Sequence, residues 1–310
     1  MAKTKVGLIG VGTIAATHLE VLAERSDVDL EFTADPVAGP PVFRGATPPH
    51  HADPAEALAA HRPDLVVVAT PADSHVELAA LVLGSSGARV LVEKPLALDV
   101  ASLARLAESG PGRVFTAHHF AFSPEVEWAA ALVAAHPEWG PVTGATSLFC
   151  DPYVGRGRGA FASYVSPWTD SGINQLTVLA RLVEPAAVVS LRDGADSAWA
   201  VVGFRSRGAE GVARLRVDWR TGASSKSSVV VCGEVEVWLD HTAMTGFACR
   251  GGELVASWGS DGRTPRKVAH YRPLYASLLS GRPDPVLGFE VAAGLTALHA
   301  GGGARGGAGG

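Results

Sequence analysis

Lys94 carries the most direct chemical potential in this chain. It stands in Glu93-Lys94-Pro95, directly after the strand-like run Arg89-Val90-Leu91-Val92. Ligands of an open parallel sheet bind just outside the carboxyl ends of its strands. A lysine leaving such a strand is held where a cofactor and a substrate can meet. Partial removal from water lowers an amine's pKa, so Lys94 can serve as acid or base, or polarise a substrate oxygen or nitrogen. Pro95 fixes its own φ and restricts Lys94, so backbone as well as packing sets the direction of the side chain.

Two further groups surround this chemistry. In Gly10-Val11-Gly12-Thr13-Ile14-Ala15, Gly10 permits a tight turn, Gly12 lets backbone approach a pyrophosphate, and Ala15 lets a helix pack closely. Thr13 and Ile14 open that helix, whose N-terminus offers N–H groups and a favourable dipole to phosphates. Asp35, about 20 residues further on, is spaced to bind the adenosine ribose hydroxyls. A carboxylate there repels a 2′-phosphate, so NAD is preferred over NADP; Arg44 is the only nearby cation that would reverse this. Asp170 and Asn174 lie four residues apart and share one helix face. Asp170 is also a good N-cap, so spacing alone leaves both roles open.

The elements needed to position these residues follow in order. Short apolar strands at 5–9, 28–33, 65–69, 89–92 and 113–117 alternate with helices over 14–22, 54–60, 74–83 and 99–108. This alternation specifies a doubly wound parallel sheet of Rossmann type. After a helix at 125–135 the pattern changes. Strands are expected at 142–150, 186–192, 198–205, 211–219, 227–233, 234–240 and 243–250, with the Asp170 helix among them. Successive strands without helices imply an α+β domain with a largely antiparallel open sheet. Short helices are expected at 273–280, with Pro273 in the first turn, and at 289–300. The expected domains are 1–120 (dinucleotide binding), 121–300 (substrate binding and oligomerisation) and a disordered Gly/Ala tail at 301–310.

Composition narrows the function classes. The chain has 310 residues, 47% of them hydrophobic and 18% charged, with a net charge of −5. No basic excess is present to neutralise a nucleic-acid backbone. Cys150, Cys232 and Cys249 are widely spaced and form no Cys-x-x-Cys pair, which argues against a zinc site and suits a reducing cytoplasm. No signal-peptide core or membrane-spanning run is read from the sequence, so a cytoplasmic location is expected.

The order of motifs resembles the glucose–fructose oxidoreductase / inositol dehydrogenase / MocA family. The matching pieces are Gly10 to Ala15, Asp35, Ala69-Thr70-Pro71-Ala72-Asp73-Ser74-His75, Glu93-Lys94-Pro95, and Asp170 with Gly172. The resemblance implies that Lys94 lies at the nicotinamide and substrate, often before a cis proline. It puts Thr70, Pro71, His75, Glu93 and His118 along the cofactor groove, and Asp170 and Asn174 at the substrate. It also implies a homo-oligomer formed through the second sheet. Two departures matter. Asn174 replaces a histidine that titrates near neutral pH, so either Lys94 handles the proton alone or another group assists it, with His118, His119, Tyr153 and Tyr164 as candidates. Phe120 and Ala121 replace family arginines, which makes the cleft less cationic and disfavours a phosphorylated or strongly anionic substrate. The basic run Gly155-Arg156-Gly157-Arg158-Gly159 reads as a solvated loop, with a substrate lid as the alternative.

The expected activity is NAD(P)-dependent hydride transfer between nicotinamide and a hydroxyl, carbonyl or imine carbon of a sugar, cyclitol or specialised metabolite. No metal is called for. The alternatives are a non-redox enzyme using transient NAD oxidation, as in elimination or epimerisation, and a nicotinamide-binding protein without catalysis.

Overall fold

The computed structural model describes residues 3–155 and 166–301. Arg156 to Gly159, Tyr164 and the tail from 302 onward lie outside them. The chain divides into two compact units: Met1–His118 with Tyr271–Thr296, and His119–His270 with Ala297–Gly310. The first unit therefore takes back a late segment that a single cut near 120 does not assign to it.

The first unit holds a six-stranded sheet, with β1 (Thr4–Ile9), β2 (Val28–Ala34), β3 (His50–His51), β4 (Leu65–Val68), β5 (Arg89–Val92) and β6 (Val114–Thr116). Its spatial order is β3-β2-β1-β4-β5-β6, and all its strand pairs are parallel. Val66, Val68, Val90 and Val92 are fully buried, as expected of strands covered on both faces. Helices α1 (Thr13–Ala23), α2 (Pro54–Ala60), α3 (His75–Ser85) and α4 (Val100–Glu108) complete the alternation. Asp53 and Asp99 cap α2 and α4 by accepting from Ala55 and Ser102 N–H groups.

The second unit holds α5 (Pro124–Ala135), α6 (Ile173–Leu182) and an eight-stranded sheet. Its strands are β7 (Val142–Cys150), β8 (Glu184–Asp193), β9 (Ser197–Ser206), β10 (Ala209–Asp218), β11 (Ser225–Cys232), β12 (Val235–Asp240), β13 (Thr245–Arg250) and β14 (Glu253–Gly259). The order is β14-β13-β12-β11-β7-β10-β9-β8. The pairs are antiparallel except β7 with β10. The edge strand β14 was not expected; it follows the Gly251-Gly252 turn, both residues of which have positive φ. One sheet face is buried through alternate residues such as Ala145, Phe149, Val202, Leu215, Val230 and Val237. The other leaves Leu148, Trp199, Val212, Trp238 and Phe247 between 37% and 42% exposed.

The helix expected at 273–280 starts earlier. Helix α7 spans Arg266–Leu278 and carries Pro273 inside it rather than in its first turn. Proline within a helix costs about 3 kcal/mol. Tyr271, Leu274, Tyr275 and Leu278 are fully buried along one stripe, and each such side chain contributes about 1.5–3 kcal/mol, so packing offsets the penalty. Helix α8 (Phe289–Gly301) agrees with the expected segment at 289–300.

Candidate active site

In the first unit, five strand ends bring the predicted residues into one row. Asp35 follows β2, Gly10 follows β1, Thr70 lies just beyond β4, Glu93 and Lys94 follow β5, and His118 lies just beyond β6. Because those strands are neighbours in the order β2-β1-β4-β5-β6, the residues succeed one another along the carboxyl edge. The switch of chain direction falls between β1 and β4, where ligands of such sheets bind.

The glycine turn is open on its outer side. Gly10 has φ +90°, and a Cβ there would lie 2.7 Å from the Ala69 carbonyl oxygen. Gly12 caps α1 without a side-chain hydrogen bond, and a Cβ there would meet nothing within 4 Å. Gly12 and Thr13 are exposed and Ile14 is half-buried. Asp35 Oδ2 accepts the Val11 N–H at 2.8 Å, while Oδ1 accepts those of Val37 at 2.8 Å and Ala38 at 2.7 Å. Burial raises its pKa, but these N–H groups outweigh burial and hold the carboxyl below its ordinary value. Arg44 donates to the carbonyls of Leu22, Ala23, Arg25 and Val28. It closes the end of α1 and is committed away from any 2′-phosphate. Open space at Gly12, the uncapped helix start and an ionised Asp35 fit a dinucleotide with an unsubstituted 2′-hydroxyl.

Lys94 stands on a buried anchor. Glu93 is 5% exposed; its Oε1 accepts from His18 Nε2 at 3.0 Å and from the Tyr271 hydroxyl. Its Oε2 accepts the Lys94 N–H at 3.2 Å. His18 Nδ1 meets the Tyr275 hydroxyl at 2.7 Å. Burial raises the Glu93 pKa, yet the His18 and Tyr271 hydrogen bonds and the Lys94 charge bring it below the ordinary value. Glu93 is thus engaged by protein donors, and Lys94, half-buried, leaves from a fixed point. The Lys94–Pro95 peptide is cis. His75 ties two strand ends together: Nδ1 lies 2.7 Å from the Pro95 carbonyl oxygen and Nε2 lies 2.9 Å from that of Thr70. Pro71 is exposed and Thr70 accepts from Ser74 Oγ at 2.7 Å. His118 donates through Nδ1 to the Val286 carbonyl at 2.8 Å. Burial lowers its pKa to about 4, so the ring is neutral at pH 7.

In the second unit, Asp170 lies within a π-helical turn, Trp168–Gly172, that runs into α6. The turn begins after Pro167, so Asp170 is not its N-cap. A Cβ at Gly172 would stand 2.2 Å from the Trp168 ring, which explains the glycine. Asn174 Nδ2 donates to the Asp170 backbone carbonyl at 3.1 Å, leaving its second N–H and Oδ1 for other partners. Thr177 bonds the Ile173 carbonyl at 2.7 Å. An arginine from elsewhere in the chain lies beside this segment: the Arg266 guanidinium stands 5.5 Å over the Phe120 ring. Lys226, 5% exposed, bonds Asp151 and, at 3.1 Å, Ser224. Burial lowers the Lys226 pKa more than Asp151 restores it. The immediate surroundings of Phe120 therefore include a cation from elsewhere in the chain. Tyr153 packs edge-on against Trp219 at 5.3 Å.

Sequence reading missed His18, Tyr271 and Tyr275, and in the second unit Lys226, Arg266, His241 and His270. His18 carried a signal, being a histidine at an inward position of α1. Among the described residues no group of three or more His, Cys, Asp or Glu side chains is arranged to hold a metal ion. The three cysteines are free, and no described helix is long and apolar enough to cross a membrane.

Comparison with known proteins covers the first unit by sequence and most of the chain by fold. Residues 4–111 match the family model GFO_IDH_MocA, described as an oxidoreductase family with an NAD-binding Rossmann fold. The rhizopine catabolism protein MocA of Rhizobium meliloti is 28% identical over 109 residues, covering 35% of this chain and 34% of that protein. The chain thus matches about a third of the length of that curated relative. GenD2 from gentamicin A biosynthesis, solved in complex with NAD, has a TM-score of 0.74 at 24% identity over 99% of this chain and 95% of its own. An oxidoreductase domain protein of Kribbella flavida has a TM-score of 0.79 at 18% identity, covering 98% and 97% of the two chains. At these identities the structural matches show a shared fold.

Proposed function

We propose, from the match of residues 4–111 to the model of the GFO_IDH_MocA oxidoreductase family with its NAD-binding Rossmann fold, that this protein is an NAD-dependent dehydrogenase or reductase. Its substrate is a small molecule carrying a hydroxyl, carbonyl or imine, of the sugar, cyclitol or specialised-metabolite classes. The observation that carries this reading is the row of Asp35, Gly10, Thr70, Lys94 and His118 along five adjacent strand ends. When bound, the nicotinamide supplies a hydride donor or acceptor at C4.

The residues divide the remaining work. Gly12, Thr13 and Ile14 receive the pyrophosphate, and Asp35 accepts from the ribose hydroxyls. Lys94 polarises the reacting oxygen or nitrogen, its position fixed by the bond from its N–H to Glu93. Asp170 and Asn174 orient the substrate. Asn174 spends one amide N–H on the Asp170 backbone carbonyl and keeps its other N–H and Oδ1, so it can both donate to and accept from a substrate. The apolar side chains on the open face of the second sheet support pairing with another copy of the chain.

The test is absorbance of the reduced nicotinamide during incubation with ketoses, cyclitols and cyclic imines. The expected result is turnover with NAD or NADH, weaker turnover with NADP or NADPH, and loss of roughly a hundredfold or more in kcat for Lys94→Ala. Tight NADH binding without turnover of any of these classes would sink the dehydrogenase reading. Substrate conversion without net NADH change would favour a transient-oxidation cycle instead.

A further inference from the structure

One end of the second sheet gathers buried N–H donors that the function above does not use. Strand β7 ends at Cys150, β10 ends at Asp218 and β11 begins at Ser225, and the register sets Cys150 beside both of the others. Asp151, Trp219 and Lys226 therefore emerge side by side. Lys226 sits opposite Phe149 in the ladder, with Nζ 5.6 Å over that ring. Phe149 packs on Phe120, their centroids 5.1 Å apart, and Arg266, the first residue of α7, stands over the Phe120 ring. The π-helical turn that carries Asp170 packs against β9 and β10. All of these residues belong to the second unit.

The two cations at this end differ in how they are matched. Lys226 donates to Asp151 and to Ser224, and Ser224 Oγ donates to Asp151 at 2.8 Å. Lys226 and Asp151 are each 5% exposed, so that ammonium and carboxylate cancel in place. Arg266 has no such arrangement: its Nη1 is buried without a hydrogen-bond partner. Asp151, Glu125 and Tyr153 act on it through charge, while Glu125 Oε1 is held by Ser123 and His241. Trp219, 7% exposed, also buries its Nε1 without a partner. Leaving a buried donor unmade is costly, and more so on a charged group. Both atoms are donors, and what they lack is an acceptor.

We propose that this end of the second sheet binds a carboxylate of the substrate, with the Arg266 guanidinium as its main partner and the Trp219 indole N–H as a second donor. This deepens the oxidoreductase reading, on which it rests: the substrate is a sugar acid or cyclitol acid rather than a neutral polyol. A guanidinium offers parallel N–H groups that match the two oxygens of a carboxylate. One unmatched positive charge suits one negative charge, so a monoanion fits better than a phosphate dianion. Such a monoanion differs from the strongly anionic substrates that Phe120 and Ala121 disfavour. Pairing with Lys226 cancels the Asp151 charge that would otherwise repel the carboxylate. The charge of Asp170 also acts on Lys226, which puts the carboxylate site beside the turn proposed to orient the substrate.

The test is isothermal titration calorimetry on the full-length protein with NADH bound. Two acid–neutral pairs serve as probes: glucuronate with glucose, and quinate with myo-inositol. At least one acid should bind about tenfold or more tightly than its neutral partner. Arg266→Gln should erase that preference. Trp219→Phe keeps a ring and loses the N–H, so it should weaken the acid several-fold and leave the neutral partner unchanged. Far-UV circular dichroism checks that the variants fold; if Arg266→Gln does not, the wild-type preference and Trp219→Phe decide. Equal affinity for acid and neutral partner, or no binding of either acid, would overturn the proposal. So would an acid preference that survives in Arg266→Gln while stability falls, the result expected if Arg266 serves Glu125 instead. Turnover of neutral ketoses or cyclitols alongside any of those results leaves the dehydrogenase reading intact. Acid binding without turnover of any substrate by NAD or NADH sinks that reading and leaves the carboxylate site.

Discussion

Each unit buries a glutamate among histidines, and the two arrangements differ in kind. In the first, His18, Tyr271 and the Lys94 N–H converge on the single carboxylate of Glu93. All three donors end at one acceptor, so the group is a clamp on the backbone that delivers Lys94. In the second, Glu125 is one station in a chain that enters through Ser123 and His270 and leaves through His241, Ser228 and Ser147. Hydroxyls and imidazoles both donate and accept, so such a chain dictates tautomers over a distance. Its incomplete satisfaction fits that role, since Glu125 Oε2 and Gln175 Oε1 are buried without a hydrogen-bond partner. A clamp fixes a position; a chain fixes where protons sit.

Removing the clamp is expected to have the largest effect. Glu93→Ala leaves His18 and Tyr271 buried without their acceptor, and breaking such a site costs about 3–5 kcal/mol. Tyr271→Phe removes one charge-assisted bond, for about 1.5–3 kcal/mol. Urea unfolding followed by far-UV circular dichroism measures both. Glu125→Gln should cost less than Glu93→Gln, because one Glu125 oxygen already has no partner. Equal losses at the two positions would break the distinction between clamp and chain.

Acid separates the units less sharply and tests a second pair of histidines. His118 in the first unit and His299 in the second both have pKa values lowered by burial to about 4. Between the ordinary value of 6.5 and about 4, the unfolded chain holds a proton at each position that the folded chain lacks. Stability is therefore full above about pH 6.5 and falls as the pH drops toward 4, by about 3 kcal/mol per residue over the whole window. Urea midpoints at pH 7.5, 6 and 5 should decline steadily. A flat profile would mean that these rings are not held neutral by the fold.

The sequence was most legible where backbone geometry dictates composition. Apart from the two-residue edge strand β3, the alternation of strands and helices through 117 and the placing of residues at the strand ends were legible because a parallel sheet puts its ligand side at predictable termini. Asp170 and Asn174 were legible as a helical pair because spacing alone sets a shared face. Lys226, Arg266 and His270 were not, because their significance depends on strand and helix register far from the motifs. Lys226 and Ser228 occupy inward positions of β11 beside apolar Val230, a break in alternation that marks a polar stripe once the register is known. The start of α7 was hidden by Pro273, whose local veto is overridden by four buried side chains. The stacking of Arg266 over Phe120 joins residues too far apart in sequence for any motif to link.

The smallest expected effect sharpens the contrast between the two acid-sensitive histidines. His118 has a partner for Nδ1 in the Val286 carbonyl, whereas neither ring nitrogen of His299 has a partner at ordinary hydrogen-bond geometry, and the Trp168 backbone only partly offsets the effect of burial on its pKa. The His299 ring lies nearly parallel to Trp168, with centroids 5.8 Å apart and planes 7° apart. Trp168 Nε1 donates to the backbone carbonyl of His299 at 3.1 Å, not to its ring. His299→Phe keeps that backbone bond and an aromatic surface while removing polar atoms that folding leaves unsatisfied. It should stabilise the protein by about 1 kcal/mol at pH 7.5. It should also remove the His299 contribution to the acid decline, so the gain is larger at pH 5 than at pH 7.5. His118→Phe loses a real hydrogen bond and should show no such gain at pH 7.5. If His299→Phe destabilises at pH 7.5 as much as His118→Phe does, the His299 ring has a partner and the distinction between the two histidines fails.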